Sequence, residues 1–465
     1  MTKNRLTNII LITLAVVAVI QTGGLWLGQT KSHSPFYSTL NGLFSSGTSS
    51  KKYYTFLEPE SSAIGLGDNR YVLVYGNNDG LNKSITSALE TVFSGGALIG
   101  TSETSSALFS EKSIVLNYPF SISSAEFLKG FSASGEFFVS DFPYFDSIII
   151  MPSYTRKAYT EVSFVNSSEQ VCCSVSIEDD TVNSILRSVI DGTDTDGSLV
   201  YISSAQSGFN IFKTNVFLPQ WPAEEYRYCS VMAENACADT GGTVSTATIG
   251  SMVSPFFADK GPDSSRIDTN GVHLYYNDDT VVKYYPNGIL EYFSYAKSDA
   301  QQSLASAYDA CMAFIKNDSS IATDIYLTDA EATTEGLVFR FNYCVNNMPV
   351  VLSADLKESL GAKSAIEVVV NGNIVKKYRK YSYNFRLSPR EDMSANTDFL
   401  SEINRVIISA QTDSSASVQI ADIRLAYYCD EETICALKWI TDINGSEYVG
   451  DTYISANEEA DTFEP

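Results

Sequence analysis

The chain has 465 residues, 44% of them hydrophobic, with 31 basic against 55 acidic residues and a net charge of −24. That length exceeds what one hydrophobic core serves and points to two or three domains. So acidic a surface repels phosphate backbones and anionic headgroups, which argues against nucleic-acid binding.

Residues 1–8 are polar and carry Lys3 and Arg5; residues 9–27 read IILITLAVVAVIQTGGLWL, without a charge. At about 1.5 Å per residue such a helix spans roughly 28 Å, close to a bilayer's hydrocarbon thickness. Cations ahead of the segment predict a cytoplasmic N-terminus and an extracytoplasmic remainder. The run reads as a retained transmembrane helix rather than a cleaved signal peptide. The small A-x-A residues of a cleavage site are missing after it, and Trp26 suits the outer membrane interface. Gln21, Thr22, Gly23 and Gly24 either pack against a neighbouring helix in lipid or mark a frayed helix end. Removing Lys3 and Arg5 leaves 29 basic residues against 55 acids outside, a net −26 that keeps an exposed domain soluble.

Residues 28–50, rich in Ser, Thr and Gly, form a linker. An N-terminal α+β domain is expected over 51–220. Residues 71–75 (YVLVY), 113–118, 147–151, 160–165 and 173–177 read as strands. Leu81, Ile85, Leu89, Val92 and Phe93 fall at helical spacing over 78–93, residues 125–131 make a short helix, and Asp180 opens a helix with Val182, Ile185, Leu186 and Val189 on one face. Residues 235–245 form a connector.

A middle α+β domain is expected over 241–320. Its centre, residues 271–295, has three apolar-rich runs separated by Asn277-Asp278-Asp279 and Pro286-Asn287-Gly288. Both breaks are tight-turn chemistry, which predicts a three-stranded antiparallel meander. Ser298, with Gln301 three residues on, predicts a capped helix whose stripe is Ala300, Leu304, Ala307, Cys311, Phe314 and Ile315. A C-terminal α+β domain over 321–452 has strand runs at 325–327, 336–344, 348–352, 366–370, 374–378 and 418–428, and a helix over 399–408. Asn371-Gly372 makes residues 366–378 a hairpin. The last two units share a helix-and-meander grammar, as a domain duplication would leave. Residues 453–465 are an acidic tail.

All eight cysteines, Cys172, Cys173, Cys229, Cys237, Cys311, Cys344, Cys429 and Cys435, lie beyond the anchor. Sequence closeness singles out Cys229–Cys237 and Cys429–Cys435 as disulfide pairs, with free buried thiols as the alternative. No C-x-x-C occurs, and the histidines are His33 and His273 alone, so zinc is poorly supported. Asp191 to Gly197 resembles a calcium loop, but Asp194 and Asp196 fall out of step and no Glu stands at the twelfth position. It reads as a helix-ending turn. No nucleophile, phosphate-loop or dinucleotide motif is present, so no catalytic, cofactor or metal residue is assigned. Plentiful carboxylates leave an acid pair open, but no spacing singles one out. Lys376, Lys377, Arg379 and Lys380 form the one basic run; it either docks an acidic partner or protects a strand edge.

With these residues in view, the chain resembles the YycH/YycI family of Gram-positive membrane-anchored regulators. The resemblance rests on the anchor ending in Thr22 and Leu25-Trp26, on Tyr284-Tyr285-Pro286-Asn287-Gly288-Ile289-Leu290-Glu291-Tyr292, and on a C-terminal pattern. That pattern runs from Gly336-Leu337-Val338-Phe339-Arg340-Phe341 through Met348-Pro349-Val350 and the 366–378 hairpin to Ile423-Arg424-Leu425-Ala426-Tyr427-Tyr428. It covers nearly the whole chain, in aromatic strands and turns rather than ligands. The closing Pro-x-Trp common in such domains is Leu437-Lys438-Trp439 here, without the Pro. Length favours the YycH-like branch.

The resemblance implies a non-enzymatic accessory protein. Its partners would be a cell-wall sensor histidine kinase, reached through the transmembrane helix and external domains, and a sister YycI-like regulator. The fold class expected is α+β: an N-terminal transmembrane helix, then two or three extracytoplasmic mixed domains with antiparallel meander sheets and packed helices. Competing functions are an anchored binding protein for a cell-wall or peptide ligand and an unrecognised wall hydrolase.

Overall fold

A computed structural model describes residues 57–452 apart from 77–78, 132–141, 194, 196–198, 210, 213–215, 221–224, 239–242, 299, 301, 389–392, 412–418, 431–433 and 444–445. The linker, the acidic tail and the expected transmembrane helix lie outside these residues. No described helix is long and apolar enough to cross a membrane.

The first lobe is built on strands β1 (Ser61–Gly67), β2 (Arg70–Tyr75), β3 (Ala97–Glu103), β4 (Ser113–Ser123), β5 (Tyr144–Pro152), β6 (Tyr159–Asn166), β7 (Val171–Glu178), β8 (Val200–Ser203) and β9 (Phe217–Pro219). They form one antiparallel sheet in the order β3-β7-β6-β5-β4-β1-β2-β8-β9. Asp68 and Asn69, both at positive φ, turn β1 into β2 in the manner of a tight hairpin. Both sheet faces are covered, so its central strands are apolar without alternation. In β4, Ile114 and Leu116 face the helices while Val115 faces away. Helices α1 (Asp79–Gly95), α2 (Ser124–Gly130) and α3 (Asp180–Asp191) bury Leu81, Ile85, Leu89, Val92, Phe127, Leu128, Val182 and Leu186 against the helix side. Asp179 caps α3 by accepting from the backbone N–H of Thr181 and Val182. The buried face of α3 is Val182, Asn183, Leu186 and Ile190; Ile185, expected inside, is 40% exposed.

The second lobe uses β10 (Glu225–Tyr228), β11 (Val231–Asn235), β12 (Ser264–Ile267), β13 (His273–Tyr276), β14 (Thr280–Tyr284), β15 (Ile289–Ser294), β16 (Asp324–Thr333), β17 (Gly336–Val345), β18 (Met348–Leu352), β19 (Ile366–Asn371), β20 (Ile374–Tyr381), β21 (Tyr383–Leu387), β22 (Met393–Asn396), β23 (Ile420–Cys429), β24 (Ile434–Ile443) and β25 (Ser446–Asp451). All but the β10–β22 pair join one fourteen-stranded sheet, ordered β12-β13-β14-β15-β20-β19-β17-β18-β23-β24-β11-β21, with β16 on β17 and β25 on β24. The expected meander is β13-β14-β15. It continues directly into the 366–378 hairpin, because β15 pairs with β20. The middle and C-terminal units therefore share a sheet and one core. Gly288 makes the β14–β15 turn for two reasons: its φ is +82°, and a Cβ there would sit 2.5 Å from the Tyr383 ring.

Helices α4 (Thr246–Val253), α5 (Leu304–Asn317), α6 (Ala354–Leu360) and α7 (Phe399–Gln411) complete the lobe. The cap of α5 is Ser303, which accepts from the Ser306 N–H, and not Ser298. The Ser298 hydroxyl instead donates to Asn373 at the β19–β20 turn. Helix α5 buries Ala307, Tyr308, Cys311, Met312 and Ile315, so its stripe is shifted toward the aromatic core.

All eight cysteines carry free thiols. Cys172 and Cys173 point into cores on opposite faces of the first sheet. Cys229 and Cys237 are held apart by β11, whose rise is roughly 3.3 Å per residue, and the Cys237 thiol lies 3.4 Å from the Met252 sulfur. That pair is not a disulfide.

Candidate functional site

Two polar constellations stand out in this architecture: a charged row on the outer face of the second sheet, and a buried ion cluster where the lobes meet.

The first begins from the basic run on β20. Strand alternation sends its cations to opposite faces. Tyr378 and Lys380 point inward, where the Lys380 side chain is 1% exposed and its ammonium donates to Asp318 at 2.6 Å. Asp318 also accepts from the Tyr378 hydroxyl at 2.8 Å, and the ammonium donates to the Ser320 hydroxyl. Burial pushes the Asp318 carboxyl up, but Lys380 and the hydroxyl donors outweigh it and hold it below the ordinary carboxylate range. Burial likewise lowers Lys380, against the pull of Asp318. Lys376 donates to the Ala296 carbonyl, and Lys377 pairs with Glu335 at 2.6 Å.

Arg379 faces outward and belongs to a cross-strand row. The register aligns Asp329, Arg340, Glu367, Arg379, Glu291 and Lys283 across β16, β17, β19, β20, β15 and β14. Opposed neighbours attract on a sheet face, and here the sign alternates at each step. Arg340 reaches Asp329 at 2.6 Å, Glu331 at 2.8 Å and Glu367 at 3.1 Å. Arg379 reaches Glu291 at 2.7 Å, and Glu291 accepts from the Tyr285 hydroxyl at 2.7 Å. Two residues along each strand, Val338, Val369, Lys377, Phe293, Val281 and Tyr276 make a mainly apolar parallel row. The basic run is thus split among an internal ion pair (Lys380), the external ladder (Arg379), a separate pair with Glu335 (Lys377) and a backbone carbonyl (Lys376), and does not make one positive patch.

The second constellation joins residues far apart in sequence. The face of the first sheet remote from its helices packs on Tyr326 of β16 and Cys344 of β17. Gly76 lets the chain pass here: a Cβ would lie 2.5 Å from the Cys344 sulfur. The Cys344 thiol points to the Tyr75 carbonyl, and the Tyr75 and Tyr326 rings meet edge-on at 5.4 Å. Beside them Arg424 of β23 contacts Asp422 and, at 3.3 Å, Glu60 from the segment leading into β1. The Arg424 Nε and the Tyr326 hydroxyl are buried without a hydrogen-bond partner among the described residues. Burial drives the Glu60 carboxyl from 4.5 up to about 7; Arg424 opposes this, while Asp422, Asp329 and Asp442 add to it. Burial also raises the hydroxyls of Tyr75, Tyr201 and Tyr326 around it. The lobes are therefore joined by a charged contact whose carboxyl is held up to about 7. Local motifs could not reveal it, since Glu60 and Arg424 stand 364 residues apart.

Gln21, Thr22, Gly23, Gly24 and Trp26 lie outside the described residues, as do Asp194 and Asp196 of the calcium-like stretch. Asp191 at its start is bonded to Lys112 and to the Tyr154 hydroxyl. His273 is half-buried on β13. Among the described residues, no group of three or more His, Cys, Asp or Glu side chains is arranged to hold a metal ion.

No family model matches the sequence, and no curated protein does. Among solved structures, the crystal structure of YycH from Bacillus subtilis superposes with a TM-score of 0.54 at 16% identity, covering 86% of this chain and 98% of that one. An uncharacterized protein from Eubacterium rectale covers 54% of this chain and 91% of its own, with a TM-score of 0.30 and 11% identity, too low to carry an argument. The mixed α and β architecture, with antiparallel sheets and few helices, is a YycH-like fold.

Proposed function

We propose that this chain is a non-enzymatic, membrane-anchored accessory regulator of a cell-wall sensor histidine kinase in a Gram-positive cell. The reading rests on one observation above all: the correspondence with YycH runs along 98% of that chain and takes in both lobes. The sequence adds an uncharged run at residues 9–27 with cations before it, the pattern of a single-pass helix with a cytoplasmic N-terminus. In this reading the lobes contact the kinase ectodomain or a sister YycI-like regulator, and the helix packs beside the kinase helices through Gln21 to Gly24 and Trp26. Unequal contact with the active and inactive kinase shifts the equilibrium between them.

The test is crosslinking in the native membrane, with the full chain and a version whose residues 9–27 are replaced by an unrelated apolar helix. Capture of a sensor kinase or sister regulator by the first and not the second is the expected result. If neither is captured while the protein retains a wall fragment, the anchored binding protein replaces this reading.

A further inference from the structure

The sheet register places two thiols face to face. Strands β23 and β24 are antiparallel, with Tyr427 opposite Leu437 and Tyr428 opposite Ala436, so the next rung sets Cys429 opposite Cys435. Directly opposed residues on antiparallel strands have Cα atoms about 4.5–5.5 Å apart, inside the roughly 4.4–6.8 Å range of disulfides. Both residues are buried, at 1% and 0% exposure. Neighbouring strands fix the rung from both sides: Leu352 pairs with Cys429 and Val231 with Cys435. The other cysteines lack this arrangement, since Cys172 and Cys173 point apart and β11 separates Cys229 from Cys237.

We propose that Cys429 and Cys435 are a reversible redox site that closes into a cross-strand disulfide. The oxidant is a disulfide, either of a low-molecular-weight thiol or of a thiol–disulfide oxidoreductase. One cysteine, as thiolate, attacks a sulfur of the oxidant and expels the first thiolate; the other cysteine then attacks the mixed disulfide and expels the second. The two thiols are oxidised to one S–S bond, the oxidant is reduced to two thiols, and the two cysteine protons pass to the departing sulfurs. The neighbouring Cys429 sulfur and burial raise the Cys435 thiol above its ordinary range, so exchange is slow until the rung opens. The bond would staple β23, the strand carrying Arg424 of the interlobe ion cluster. This inference does not depend on the proposed partner.

The test uses the full chain in detergent, incubated with oxidised glutathione or with reduced dithiothreitol, then alkylated under denaturing conditions. After reduction all eight cysteines take the label. After oxidation six are expected to, and tryptic peptide 425–438, which holds both cysteines, becomes unlabelled and about 2 Da lighter. Cys435→Ala should then show seven labelled thiols, or one glutathione adduct on Cys429, under the same oxidant. Retention of eight labelled thiols at equilibrium, or loss of a pair elsewhere, overturns the proposal. The wild-type measurement stands even where the variant fails to fold.

Discussion

Replacing Glu60 with glutamine is expected to stabilise the protein above neutral pH, although the substitution removes an ion pair with Arg424. Unfolded, Glu60 titrates near 4.5; folded, near about 7, because burial and the three facing carboxylates Asp422, Asp329 and Asp442 outweigh one guanidinium. Between these values the folded state holds a proton that the unfolded state has released. Stability therefore falls as pH rises through the window, by at most about 1.4 kcal/mol per pH unit. The side chain is 21% exposed, so water screens part of this, leaving about 2 kcal/mol for the whole window. Glutamine keeps an oxygen toward Arg424 and does not ionise. The tyrosines around the cluster, Tyr75, Tyr201 and Tyr326, have raised hydroxyls and stay neutral throughout. The assay is urea unfolding of wild type and Glu60→Gln at half-unit steps from pH 4.5 to 8, followed by fluorescence, taking the difference so that other groups cancel. The variants should coincide near pH 4.5 and diverge to about 2 kcal/mol in favour of glutamine by pH 8. Hydrogen exchange in β2 and β23 should slow in the variant at the alkaline end. A wild type that gains on the variant as pH rises would refute the reasoning and make Glu60 an ordinary stabilising carboxylate.

Three further outcomes follow from the packing. Lys380→Met strands Asp318 in the core and should cost about 3–5 kcal/mol, while pairing it with Asp318→Leu recovers most of the loss; thermal unfolding of both variants and wild type measures this. Gly288→Ala must hold φ near +82° and press on the Tyr383 ring, so a loss of about 2 kcal/mol or more is expected, read from the urea midpoint. Ser303→Ala should lose about 1 kcal/mol as a cap, whereas Ser298→Ala should leave α5 intact, which exchange rates at Ser306 and Ala307 distinguish.

Where turn chemistry and short-range periodicity decide the structure, the sequence was legible. The β13-β14-β15 meander and the β19–β20 hairpin are marked by their Asn, Pro and Gly residues, and the helical spacing of Leu81, Ile85, Leu89 and Val92 is the buried stripe of α1. Helix α3 was found with its face rotated, because Ile185 looks as apolar as Ile190 and only the position of the sheet chooses between them. Ser298 and Ser303 both precede plausible helices, and the β19–β20 turn claims the former. The pairing of β18 with β23, parallel and long-range, leaves no local trace. Of the two constellations, the outward ladder follows from alternation once the register is known. Inward Lys380 was hidden, because its partner Asp318 stands 62 residues earlier and a lysine in a basic run reads as solvated. Glu60 and Arg424 carry no mark in either neighbourhood.

The order in which strands leave the ribosome bears on how the molecule is assembled. Every strand of the first sheet has been made by residue 219, and its pairings can close while synthesis continues. The second sheet cannot do likewise. Strand β11, at residues 231–235, is flanked by β21 and β24, and β24 ends at Ile443. An early strand must therefore wait, unpaired, for about 150 residues before β21 exists, and for about two hundred before β24 does, a slow and aggregation-exposed interval. Truncating the chain before β24 would accordingly cut β11 and β21 off from β23 rather than trim an edge. Arg424 reaches Glu60 only once β23 has been made, so the interlobe contact is also a record that synthesis has passed that strand.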